Sequence, residues 1–100
     1  MGQRIEVDRT TVIGDSIVVS TNRSLTGTDG EGFNTASDAA ASESFAGALA
    51  TELFEADHDL SRVYIDQNAL IIGRRGGWDV ESTAAATKVI EDFFLFYPEA

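Results

Sequence analysis

The sequence predicts an α+β domain of order β-β-α-β-β-α: a mainly antiparallel four-stranded sheet with two helices on one face. Three observations carry that expectation. Two pairs of apolar, β-branched segments are each divided by turn residues. Two longer segments space their apolar residues at helical intervals. A chain of 100 residues supports one core but not two, so residues 1–100 form a single domain.

The first hairpin is expected from "RIEVDRT", where Ile5 and Val7 share a face, and "DSIVVSTN", centred on Ile17, Val18 and Val19. Gly14 and Asp15 stand between them as the turn. Residues 22–42 are rich in Gly, Ser, Thr, Asp and Asn and poor in large apolar side chains. They are expected to form one long loop, disordered at "GTDGEG".

"SESFAGALATELFEAD" predicts a helix, with Phe45, Leu49, Leu53 and Ala56 spaced for one face and Ser42 or Ser44 as N-cap. Gly47 costs about 1 kcal/mol relative to alanine inside a helix, so it is expected to mark close packing. "LSRVYIDQNALIIG" predicts the second hairpin, with Val63–Ile65 and Leu70–Ile72 as arms and Asp66, Gln67 and Asn68 turning between them. "WDVESTAAATKVIEDFFLFYPEA" predicts the closing helix, capped by Asp79, striped by Ala86, Val89 or Ile90, and Phe93, and stopped by Pro98.

Composition narrows function. Seventeen acidic residues oppose seven basic ones, a formal net charge of −10. Nucleic acid and anionic membrane both recruit positive surfaces, so neither is an expected partner. Lys88 is the sole lysine, a pattern that fits either adaptation to high salt or an ordinary acidic protein. The absence of cysteine removes thiolate nucleophiles and thiolate-held zinc or iron–sulfur clusters. No apolar run reaches the ~20 residues of a membrane span, and the N-terminal segment lacks a signal-peptide core, so a cytoplasmic location is expected.

The stretch "GRRGGWD" poses the main chemical question. Arg74, Arg75, Gly76 and Gly77 precede a helix start, where free N–H groups can hold an anion. The spacing fits neither GxxxxGK[ST] nor GxGxxG, and Asp79 and Glu81 compete for the same positive helix end. A strand-to-helix connection is the preferred reading, and a small anionic-ligand module is the alternative. His58, the only histidine, sits among Glu55, Asp57 and Asp59 and reads as a solvated helix end rather than a metal or catalytic centre. Trp78 and Phe94 are the candidates for a partner surface, because one helical stripe cannot bury every aromatic of the last segment.

"ALATELF" (48–54), "VYIDQNALII" (63–72), Trp78 and "VIEDFF" (89–94) together resemble the N-terminal domain of Nfu/NifU-type iron–sulfur scaffold proteins. That family carries a pattern like S-P-L-A-x-x-L-F, an apolar hairpin, a tryptophan and a closing apolar helix. Leu49, Ala50, Leu53 and Phe54 match it, while Gly47 and Ala48 replace Ser and Pro. Asp59 and one extra residue replace the usual Gly before the next strand, and Asn68 replaces Asp in the hairpin. The family's cluster is held by a CxxC on a separate C-terminal domain. The resemblance, over residues 43–94, therefore implies a stand-alone N-terminal-type domain with no cofactor of its own. Its implied role is non-catalytic: docking a protein partner, such as the iron–sulfur assembly machinery, as a monomer or weak dimer.

Overall fold

A computed structural model describes residues 6–22, 30–42 and 44–96, with side chains placed as far as Phe93 in the last helix. The elements run β1 (Val7–Ile13), β2 (Ser16–Thr21), β3 (Glu31–Phe33), α1 (Ala36–Ala41), α2 (Phe45–Ala56), β4 (Leu60–Asp66), β5 (Ala69–Arg74) and α3 (Val80–Phe96). The class is α+β, and every strand pairing is antiparallel, in the order β1-β2-β5-β4-β3.

Both expected hairpins form. Gly14 takes a φ of +60° and leads a two-residue turn between the paired Ile13 and Ser16, a conformation glycine adopts without steric cost. β1 differs from expectation in its bounds. It continues through Thr11, Val12 and Ile13, because β2 is long enough to pair with all of them. The second turn is held to Gln67 and Asn68, since Asp66 still pairs with Ala69.

Among the described residues the sheet has five strands rather than four, and there are three helices rather than two. Both additions lie within residues 22–42, which were expected to be loop. β3 is three residues long and exists through its partner: Glu31, Gly32 and Phe33 pair with Ile65, Tyr64 and Val63. α1 is six residues capped by Thr35, whose hydroxyl accepts the Asp38 N–H, and it buries only Ala39. Neither is long enough to show a period, so tertiary contact decides both. The expected disorder of "GTDGEG" does not extend to Gly30–Gly32; residues 27–29 lie outside the described chain. So do Ile5, Pro98 and the side chain of Phe94, with the expectations placed on them.

One face of the sheet carries the core. Ile17, Val19, Leu70, Ile72, Val63 and Ile65 point to it and meet Leu49, Leu53, Ile90 and Phe93 from α2 and α3. The alternate residues Val18, Ile71 and Tyr64 form a cross-strand row on the opposite face. Tyr64 lies down over Gly30 and Gly32, where a β-carbon would collide with its ring. At the helix layer, the Ser44 hydroxyl caps α2 by accepting the Gly47 N–H and donates to the Glu31 carboxylate at 2.9 Å. This ties the short β3 strand to the start of α2.

Candidate functional site

The "RRGGW" stretch joins three parts of the chain. Arg74 ends β5, and its Nε donates to Asp57 Oδ2 at 2.7 Å, just beyond α2. Its Nη1 donates to the Gly77 carbonyl at 2.9 Å, and Nη2 approaches Asp59 at 3.5 Å. Arg75 donates through Nη2 to the His58 carbonyl at 2.7 Å and through its backbone N–H to the Asp59 carbonyl at 2.8 Å. Gly76 and Gly77 take φ values of +87° and +83°, a left-handed excursion that reverses the chain after β5. Trp78 completes the junction: its indole N–H lies 3.1 Å from the Asp15 carbonyl and 3.2 Å from that of Ile72.

Asp79 then starts α3. Its Oδ1 accepts the Ser82 N–H at 2.7 Å, and its own N–H donates to the Ser82 hydroxyl at 2.9 Å. This is a reciprocal cap with serine in the place glutamate often takes. A carboxylate therefore occupies the helix terminus where an anion would sit, and both arginines of the sequence expectation hold protein oxygens. His58 is exposed in the turn after α2, and its carbonyl serves Arg75. Among the described residues no three His, Cys, Asp or Glu side chains form a group able to hold a metal.

The two carboxylates respond to these contacts. Burial raises the Asp57 carboxyl, but the Arg74 hydrogen bond, the Asp59 N–H and the charges of Arg74 and His58 together outweigh it, so it titrates below the ordinary 3.8. Asp79 is also lowered, chiefly by the Ser82 N–H and hydroxyl. A carboxylate with a depressed folded value contributes stability that is complete above its unfolded value and is lost as pH falls through the folded one. Urea midpoints are therefore expected to fall as pH drops through and below 3.8. Asp57→Asn should flatten that part of the profile, and an unchanged profile in the variant would dismiss the Asp57–Arg74 contact as its source.

Beside this junction lies an apolar corner. Val80, the first residue of α3, is 85% exposed and Val12 on β1 is 50% exposed, whereas Ile13 projects from the opposite face. Thr10, Val12, Trp78, Val80 and Thr83 line a groove of about 480 Å³ between the outer strand and the start of α3. Trp78 thus joins the candidate surface the sequence suggested, one edge anchored by its N–H and the ring lining the groove. Thr10, Val12 and Val80 were not legible as site residues, because nothing in the sequence marks a residue as uncovered. A second groove, of about 470 Å³, runs between α2 and α3 past Ala56, Ala85, Val89 and Phe93, with the Lys88–Asp92 ion pair among its lining residues.

No family model matches the sequence, and no curated protein matches it. Among solved structures, the crystal structure of protein SAV1430 from Staphylococcus aureus is similar, with a TM-score of 0.63 and 7% identity over 86% of this chain and 99% of that one. At that identity the likeness shows the fold, and it is the fold described above. Among the described residues no helix is long and apolar enough to cross a membrane.

Proposed function

We propose that this domain is a non-catalytic docking module, with a role like that implied by its resemblance to the N-terminal domain of iron–sulfur scaffold proteins. The carrying observation is the exposed pair Val12 and Val80 beside Trp78 in one groove. Solvent exposure of large apolar side chains is unremarkable singly, whereas a pair of them beside an aromatic wall suits a partner's apolar anchor. The Arg74–Asp57 contact and the Trp78 hydrogen bonds hold that wall in place, so its geometry is set before a partner arrives. In this reading the partner is a protein of the iron–sulfur assembly machinery, and the domain binds no cofactor itself.

Calorimetric titration of the purified chain with cysteine-bearing cluster scaffold proteins tests this. Val80→Asp is the informative variant, because an acidic residue in the first turn favours the helix while placing a charge in the apolar corner. The expected result is binding that weakens about tenfold or more in Val80→Asp, the loss of an interface anchor. Equal binding by the variant would remove the corner as the docking site. Failure of every cluster protein to bind would remove the iron–sulfur role.

A further inference from the structure

β1 is a terminal strand of the sheet, and among the described residues no strand pairs with its outer side. Its hydrogen-bonding pattern follows from the hairpin. A two-residue turn is closed by a pair that exchanges both bonds, here Ile13 and Ser16, and such pairs alternate along the ladder. Thr11–Val18 and Arg9–Ser20 are then the inward-bonded pairs. Thr10 and Val12 turn their N–H and C=O groups away from β2. The pattern agrees at the other end, where the Val7 N–H points outward and donates to the Glu91 carboxylate at 3.0 Å.

Exposed edges are usually blunted by charge, proline or a bulge. β1 has such protection only at its start, where Asp8 and Arg9 sit at a register irregularity. Thr10 to Ile13 carry neither charge nor proline. The residues that aim backbone groups outward, Thr10 and Val12, are also the ones whose side chains line the Trp78 groove. Free edge and apolar groove therefore belong to one surface.

Charge selects its occupant. Asp79 lines the groove and Glu81 follows Val80 in the first turn of α3. The opposite face is basic near this edge, since Arg9 projects from it and Arg62 reaches the Ser16 hydroxyl there at 3.4 Å, so an occupant's positive charges belong at the ends of its strand and not between its apolar residues. A second copy would bring a further −10 against this surface.

We propose that the β1 edge takes up an extended, positively charged polypeptide segment as an added strand, with alternate apolar side chains entering between Val12, Trp78 and Val80. This deepens the docking reading above and rests on it. The mode is strand addition: backbone bonds hold the segment, and the groove selects its side chains.

The probe is a short synthetic peptide of alternating threonine and valine flanked by lysines at both ends, titrated at low salt and followed by emission of Trp78, the single tryptophan of the chain. Two further peptides carry backbone N-methyl groups on every second residue, one in each register. A fourth replaces lysine by glutamate. The lysine peptide is expected to bind and shift the Trp78 emission, one N-methylated register to bind about tenfold or more weakly, and the glutamate peptide not to bind. Absence of binding by the lysine peptide overturns the proposal. So does equal binding by both N-methylated registers, which would leave side-chain docking in the groove standing. Equal binding of the glutamate peptide would overturn the charge assignment. Sedimentation of the free chain supplies the last outcome: a dimer dissociated by Thr10→Pro would assign the edge to a second copy instead.

Discussion

Ile72→Ala is expected to lower stability by about 2–5 kcal/mol, the range for emptying a branched side chain from a packed core. Ile72 is fully buried on the central strand, between Ile17 on β2 and Val63 on β4. Total stability for a domain of this size is about 5–15 kcal/mol, so the change removes a large share of it. The neighbouring Ile71→Ala is the control. It lies on the uncovered face beside Val18 and Tyr64 and is only half-buried. Its expected cost is below about 1 kcal/mol. Urea denaturation with an unchanged slope measures both. Equal losses would mean that the sheet is covered on both faces.

Gly47→Ala is expected to destabilise by about 1–3 kcal/mol, as overpacking does, against the sign that helix propensity alone assigns. Alanine in a helix interior is favoured over glycine by about 1 kcal/mol. Here an added β-carbon would stand 2.6 Å from Ser42 Cβ, 2.8 Å from its hydroxyl and 3.0 Å from the Ala39 carbonyl. Those atoms form the end of α1 and its C-cap, and two of the three are not the movable tip of a flexible side chain. Relief requires α1 to retreat from α2, which loosens buried Ala39 and the Ser42–Ser44–Glu31 contacts. A double-mutant cycle with Ser42→Gly separates this collision from other effects, because contacting sites fail to add. A stabilised Gly47→Ala would show that α1 yields at no cost.

The long elements were legible because each states its environment repeatedly. α2 forms where expected and Ser44 caps it, but of its expected face only Leu49 and Leu53 are buried; Phe45 and Ala56 are exposed, and Ala46, Ala50 and Phe54 complete the covered side. α3 buries Ala86, Ile90 and Phe93 and is capped by Asp79. β4 and β5 are apolar enough to sit at the sheet centre. β3 and α1 were not legible, since three residues pairing with β4 and six alanine-rich residues against α2 carry no period of their own. Gly47 was legible as a close approach but not as an approach to α1, which carries no period of its own.

For the candidate site the division is sharper. The types of residue in "RRGGWD" pointed to a turn and a capped helix, and Gly76 and Gly77 at positive φ follow from glycine's freedom there. That Arg74 reaches back to Asp57, and that Trp78 hydrogen-bonds across to the first hairpin, depends on chain segments 17 and 63 residues away. Local sequence states a residue's conformational preference and its polarity, so it determined the class of the fold, its strongest elements and the exclusion of thiolate chemistry. Only the assembled sheet decided which apolar residues find cover. β1 became an edge because the chain places its other strands on the far side of β2, and that arrangement alone leaves Val12 and Val80 facing water beside Trp78.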